Sequence, residues 1–193
     1  MDYPATISVE TPDKLANWRP LVQWILAIPH LIIAGALEYV TGAVAIISWF
    51  VILFTGKLPT GLANFQAMIF RYTSRAELYA GFLYDDYPPF DFTMSAGEPG
   101  GSPVDVAFQP ELENRNRLTV GLRILWAIPA VLYAILITIV GIVCWFLSFF
   151  AVLFTGRWPD GLRSWVMKML RVWIRTNAYV LLLTDEYPPF ATD

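Results

Sequence analysis

Charge is scarce in this chain, and most of the chemistry that depends on it is missing too. Asp, Glu, Lys and Arg make up 15% of the 193 residues, against about 25% in soluble domains. The net charge is −3, so no basic field points to nucleic acid as a partner. A single cysteine, Cys144, excludes an intrachain disulfide framework and any cysteine-based zinc cluster. Within Val143-Cys144-Trp145-Phe146 it reads as a small buried hydrophobe. A single histidine, His30, cannot supply bis-histidine ligation, and no Cys-x-x-Cys-His sequence exists to attach a haem. With no catalytic, metal or nucleotide motif, the chain is expected to be no enzyme and to need no cofactor. A cleavable signal is not expected either. Met1 to Trp18 carries Asp2, Glu10 and Asp13 where a signal needs a basic start and an apolar core.

What the chain has in quantity is apolar residues, 56% with a mean hydropathy of +0.52, and a repeat. Ile28-Pro29 recurs as Ile128-Pro129, and Leu53-Phe54-Thr55-Gly56 as Leu153-Phe154-Thr155-Gly156. Pro59, Gly61, Arg71 and Arg75 recur as Pro159, Gly161, Arg171 and Arg175. Tyr87-Pro88-Pro89-Phe90 closes one copy and Tyr187-Pro188-Pro189-Phe190 the other. A constant register over such a span means tandem copies of one structural unit. Repeat one is residues 1–92, a Gly/Pro-rich linker covers 93–103, and repeat two is residues 104–193.

Each copy opens with period-two apolarity, Thr6–Glu10 and Val104–Phe108, which reads as a short strand. Phe90-Asp91-Phe92 or Phe190-Ala191-Thr192 are the expected pairing partners. An apolar block follows, Leu21–Phe54 in copy one. It is too long for one bilayer span of about 20 residues and slightly short for two. Turns at Glu38–Gly42 and near Thr138–Gly141 make each block a tight helical hairpin. The fold class expected is therefore an all-α membrane protein of two tandem transmembrane hairpins, four spans in all. Pro29 and Pro129 kink the first helix of each. After the turn that holds Pro59 or Pro159 comes an amphipathic segment. Ser164, Lys168, Arg171 and Arg175 share one of its faces, opposite Leu162, Trp165 and Met169. Such a helix is expected to lie in the membrane interface. Basic residues flank the open ends of both blocks and none lies at the tips. That predicts a multi-pass protein of the bacterial cytoplasmic membrane with both termini in the cytoplasm.

These motifs together resemble an uncharacterised bacterial domain-of-unknown-function family of integral membrane proteins. The resemblance rests on Ala-Ile-Pro, Leu-Phe-Thr-Gly and the Arg-bearing stretch that ends in Tyr-Pro-Pro-Phe. It covers residues 27–90 and 127–190. It implies a bacterial membrane address, one or two copies of the unit per member, and no known activity or catalytic residues.

The candidate site residues are therefore charges at the interface. Arg71, Arg75, Lys168, Arg171 and Arg175 have two readings. They can meet anionic lipid headgroups, at roughly 1 kcal/mol each, or pair with Asp85, Asp86, Asp185 and Glu186. One arginine per copy is expected to do each. The acidic pairs read as solvating or ion-paired groups before they read as metal ligands, since no further ligand repeats beside them. His30 is expected to meet interfacial water or a carbonyl, and Glu38 to be a solvated turn residue. The function expected is that of an accessory, scaffold or assembly subunit, with membrane lipids and other membrane subunits or itself as partners. Anionic-lipid binding is the first alternative, and a small oligomeric transporter or channel the second.

Overall fold

The computed structural model describes residues 3–192. Met1, Asp2 and Asp193, assigned above to the two repeats, lie outside the described residues. The alternating segments do become strands, β1 (Ala5–Val9) and β2 (Val104–Phe108). Their partner is each other. They pair antiparallel from Ala5 opposite Phe108 to Val9 opposite Val104. The segments after the Pro-Pro pairs, expected to be the partners, form no strand. Glu10 N–H to the Pro103 carbonyl and Gln109 N–H to the Pro4 carbonyl, both 2.8 Å, continue the ladder at either end. Alternation along an antiparallel pair then turns the backbone of Ala5, Ile7 and Val9 to the outer edge of β1.

Six helices follow among the described residues: α1 (Arg19–Leu26), α2 (Ile28–Thr55), α3 (Thr60–Ala80), α4 (Arg117–Gly121), α5 (Arg123–Thr155) and α6 (Asp160–Val180). The four-span expectation fails here. Each apolar block runs through its supposed turn as one helix, 28 residues in α2 and 33 in α5, about 42 and 50 Å long. Gly42 and Gly141 are helical, not caps. Gly141 is small because α6 crosses there, and a Cβ on it would sit 2.4 Å from Met169 Sδ. The true stops are the repeated Thr-Gly pairs. Gly56 (φ +70°) and Gly156 (φ +67°) take the left-handed conformation that ends a helix. Thr55 and Thr155 hydroxyls donate back to the Val51 and Ala151 carbonyls and accept the Lys57 and Arg157 amides. The Leu-Phe-Thr-Gly motif is a helix terminator.

The long helices bury one stripe each, at helical spacing. Ala34, Val44, Ser48 and Ile52 lie on it in α2, and Ala134, Cys144, Ser148 and Val152 in α5. α3 and α6 return along these stripes, and β2 and β1 in turn lie on α3 and α6. The order of layers is long helix, amphipathic helix, strand. The outer faces of α2 and α5 stay open and apolar: Ile32, Tyr39, Ile46 and Phe54 on one, Ile124, Leu136, Phe146 and Phe154 on the other. Both helices are long and apolar enough to cross a membrane.

The copies interlock reciprocally. Leu15 N–H donates to the Gly156 carbonyl (2.8 Å) and its counterpart Arg115 N–H to Gly56 (3.0 Å). Asn17 donates to Leu153 O, and Trp49 Nε1–H to Val120 O (both 2.9 Å). The start of each long helix thus lies by the end of the other, so α2 and α5 run antiparallel.

Candidate functional site

Arg71 and Arg75 stand one turn apart on α3, on the face toward β2, and both are buried. The Arg71 guanidinium donates to three carbonyls of the linker: Gly97 (2.7 Å), Thr93 (2.9 Å) and Ser95 (2.6 Å). Arg75 pairs with Asp91 (3.2 Å) and with Glu98. The linker becomes a strap. It lies along the outer edge of β2, where Phe108 N–H donates to Ala96 O (3.0 Å) and Val106 N–H to the Glu98 carboxylate (3.1 Å). Thr93 hydrogen bonds to Asp91, with the Arg75 charge behind them, hold the Asp91 carboxyl below its ordinary range.

The acidic residues of the closing motifs find arginines, though not those of α3 and α6. Asp85 pairs with Arg19 (3.7 Å), which also donates to the Asp85 carbonyl (2.9 Å). Asp185 pairs with Arg115 (2.7 Å) and Arg123 and accepts the Asn116 N–H (2.9 Å). Burial works against the Asp185 charge. Arg115, the Asn116 amide and the second guanidinium outweigh it and hold the carboxyl below its usual range. Asp86 and Glu186 point outward. Both closes thus anchor the beginning of their own copy.

On α6 the equivalent face is far less covered. Arg171 is half-buried and makes no hydrogen bond or ion pair with any described residue. Lys168 lies over the Trp165 ring, 4.8 Å from its centroid. Arg175 lies 6.0 Å from the Tyr3 ring centroid, and its carbonyl accepts the Tyr3 hydroxyl. Arg163 donates to the Val9 carbonyl (3.3 Å).

Two groups escaped sequence reasoning because distant segments build them. His30 is buried, with Nδ1 2.9 Å from the Tyr72 hydroxyl and its ring stacked on Phe90 at 4.0 Å. Copy two, with Ala130 and Val172, lacks this couple. Glu38 lies inside α2, not at a tip, and meets Glu77 of α3. The two line a cavity of about 280 Å³ together with Thr41, Thr73, Ser74 and Asn177. Desolvation by the surrounding protein, then the Glu38 charge, push the Glu77 carboxyl up to about 7. Among the described residues no group of three or more His, Cys, Asp or Glu side chains is placed to hold a metal ion.

Residues 17–91 and 117–192 each match one family model, described as "Domain of unknown function (DUF4389)". The matches begin one hundred residues apart and take in both copies from the lead helix to the close. No curated protein and no solved structure matches the chain.

Proposed function

We propose that this chain, which belongs to the DUF4389 family, is a non-enzymatic scaffold or assembly subunit seated on the cytoplasmic face of a bacterial membrane. One observation carries the reading: apolar and charged groups are sorted into opposite layers. The outer faces of α2 and α5 offer lipid a continuous apolar surface of a size that soluble monomers rarely leave open. The repeated arginines lie on α3 and α6, toward the strands.

This sorting favours long helices that lie in the plane of the membrane over helices that cross it. α6 accompanies α5 from Arg123, beside Tyr179, to Gly141, beside Met169. A crossing α5 would carry Lys168, Arg171 and Arg175 to bilayer depth, at about 2.5–3.5 kcal/mol for each charge near the centre. In-plane seating leaves them on the aqueous side. It also places the axis relating the copies along the membrane normal.

A second reading, lipid handling, is favoured by an apolar groove of about 340 Å³ where Ala45, Trp49 and Phe50 face Ile124 and Leu182. Two measurements test the proposal. Spin labels at Ile32, Tyr39, Ile46 and Phe54, in the protein reconstituted in bilayers, should all report one shallow depth. A depth maximum in mid-helix overturns in-plane seating. Native purification should retain other proteins in fixed ratio. Retention of lipid alone, in fixed ratio, favours the second reading.

A further inference from the structure

Copy one holds a worked example of what the corresponding face of copy two can bind. Its strap is an extended, acidic stretch added to the outer edge of β2. The strap carbonyls are gathered by Arg71, and its Glu98 carboxylate sits on the Val106 amide.

The twofold relation of the strands makes Ile7 the counterpart of Val106, and Val9 the counterpart of Phe108. On that edge of β1 the Ile7 and Val9 amides donate to no described residue. Beside it lies an open groove of about 360 Å³ lined by Ser8, Val9, Asp160, Arg163, Ser164, Met167 and Arg171, two guanidinium groups against one carboxylate. Unpaired edge amides are a template for another strand. The Arg171 guanidinium, which bonds to no described residue, adds a fork of donors beside them.

We infer that this groove docks an extended acidic segment of a partner protein as an added strand on β1. The strap sets the register. One residue of the segment offers its carbonyl to the Val9 amide, as Ala96 does to Phe108. An acidic side chain two residues further on meets the Ile7 amide, as Glu98 meets Val106. Arg171 donates to carbonyls of the segment as Arg71 does to those of Thr93, Ser95 and Gly97. Strand addition of this kind takes its affinity from main-chain bonds and its selectivity from the flanking side chains. The groove opens on the strand side of α6, away from the apolar face of α5, which favours a peptide over a lipid headgroup as occupant. This inference rests on the scaffold reading and names the chemistry of its partner.

The test uses the full chain in nanodiscs and a synthetic peptide that reproduces residues 91–100. Saturable binding should slow hydrogen exchange at the Ile7 and Val9 amides, while the Val106 and Phe108 amides stay protected throughout. Arg171→Gln should weaken the peptide about tenfold or more, the effect of losing charge-assisted hydrogen bonds. Glu98→Gln in the peptide should weaken it as well. Absence of binding, or binding that Arg171→Gln leaves unchanged, overturns the inference. So does a variant that loses retention on phosphatidylglycerol vesicles while the peptide has no effect, since that makes the face a lipid site. If partner proteins co-purify equally with wild type and Arg171→Gln, the scaffold reading stands and this groove is not its docking site.

Discussion

Arg123 and Asp185 form an ion pair that ties the first turn of α5 to the close of its own copy. The same guanidinium lies over the Tyr179 ring, 3.9 Å from its centroid. Copy one makes the tie without a charge at that position. Gln23 stands in the place of Arg123, and its amide donates to the Tyr84 carbonyl (2.6 Å). One geometry is held by two chemistries, and the two respond differently to mutation and to pH.

Asp185→Asn leaves the Arg115 and Arg123 guanidinium groups without their carboxylate, and both are buried. The expected loss is about 3–5 kcal/mol, the scale for removing one partner of a buried pair. Arg123→Gln should cost less, because Gln is what copy one uses. The folded Asp185 value is depressed, so its contribution is present above the unfolded value of about 3.9 and lost as pH falls through the folded one. Denaturant titrations at neutral pH and near pH 3 check both points. Equal losses in the two variants contradict the account.

Glu77 has the opposite sign. Its carboxyl is raised to about 7, so the folded state holds a proton that the unfolded state has released. Stability should fall as pH rises from about 4.5 to about 7 and then level off. Glu77→Gln, which mimics the protonated acid, should remove this decline. The variant should melt above wild type at pH 8 and close to it at pH 5. A parallel pH dependence in the two proteins rules out Glu77 as the source.

Gly42 and Gly141 stand one residue apart in the repeat register, Gly141 answering to Thr41, and should part company when replaced by alanine. At Gly42 nothing lies within 4 Å of an added Cβ, so better helix propensity should gain about 1 kcal/mol. At Gly141 the new methyl meets Met169 Sδ at 2.4 Å and its Cβ at 2.6 Å, and about 1–3 kcal/mol should be lost to overpacking. Melting temperatures of the two variants decide the matter. A gain at both positions denies the close crossing of α5 and α6.

The arginines make a third pair of opposites. Arg75→Gln leaves Glu98 and Asp91 without their ion-pair partner and should cost about 3–5 kcal/mol. Arg171→Gln removes no hydrogen bond or ion pair with a described residue and should stay within about 0.5 kcal/mol of wild type. Thermal unfolding of both variants under one set of conditions is sufficient. Equal costs show that the two faces are filled alike.

Where the sequence could be read, periodicity made it legible. Two-residue alternation marked β1 and β2, and steps of three and four marked α6. The hundred-residue register announced the two copies. The apolar blocks were misread because length alone cannot separate one long helix from a short hairpin. Gly141, which looked like a turn, serves a close crossing that only the position of Met169 reveals. The arginines were assigned to lipid or to the closing acids, since nothing local ties Arg71 to carbonyls more than twenty residues away. The Glu38–Glu77 meeting was hidden for the same reason.

The reciprocal bonds between copies also bear on how the chain is made. When residue 90 leaves the ribosome, copy one has a Gly56 carbonyl without Arg115, a Trp49 indole without Val120 and a β1 without its partner strand. At about 5–20 residues per second, the second hundred residues take some 5–20 s to arrive. For that interval the first copy is a half-finished body that carries the long apolar α2, a surface that a bilayer could shelter. On the proposed membrane seating, contact with lipid comes before the fold is complete, and the membrane acts as a chaperone before it becomes a home.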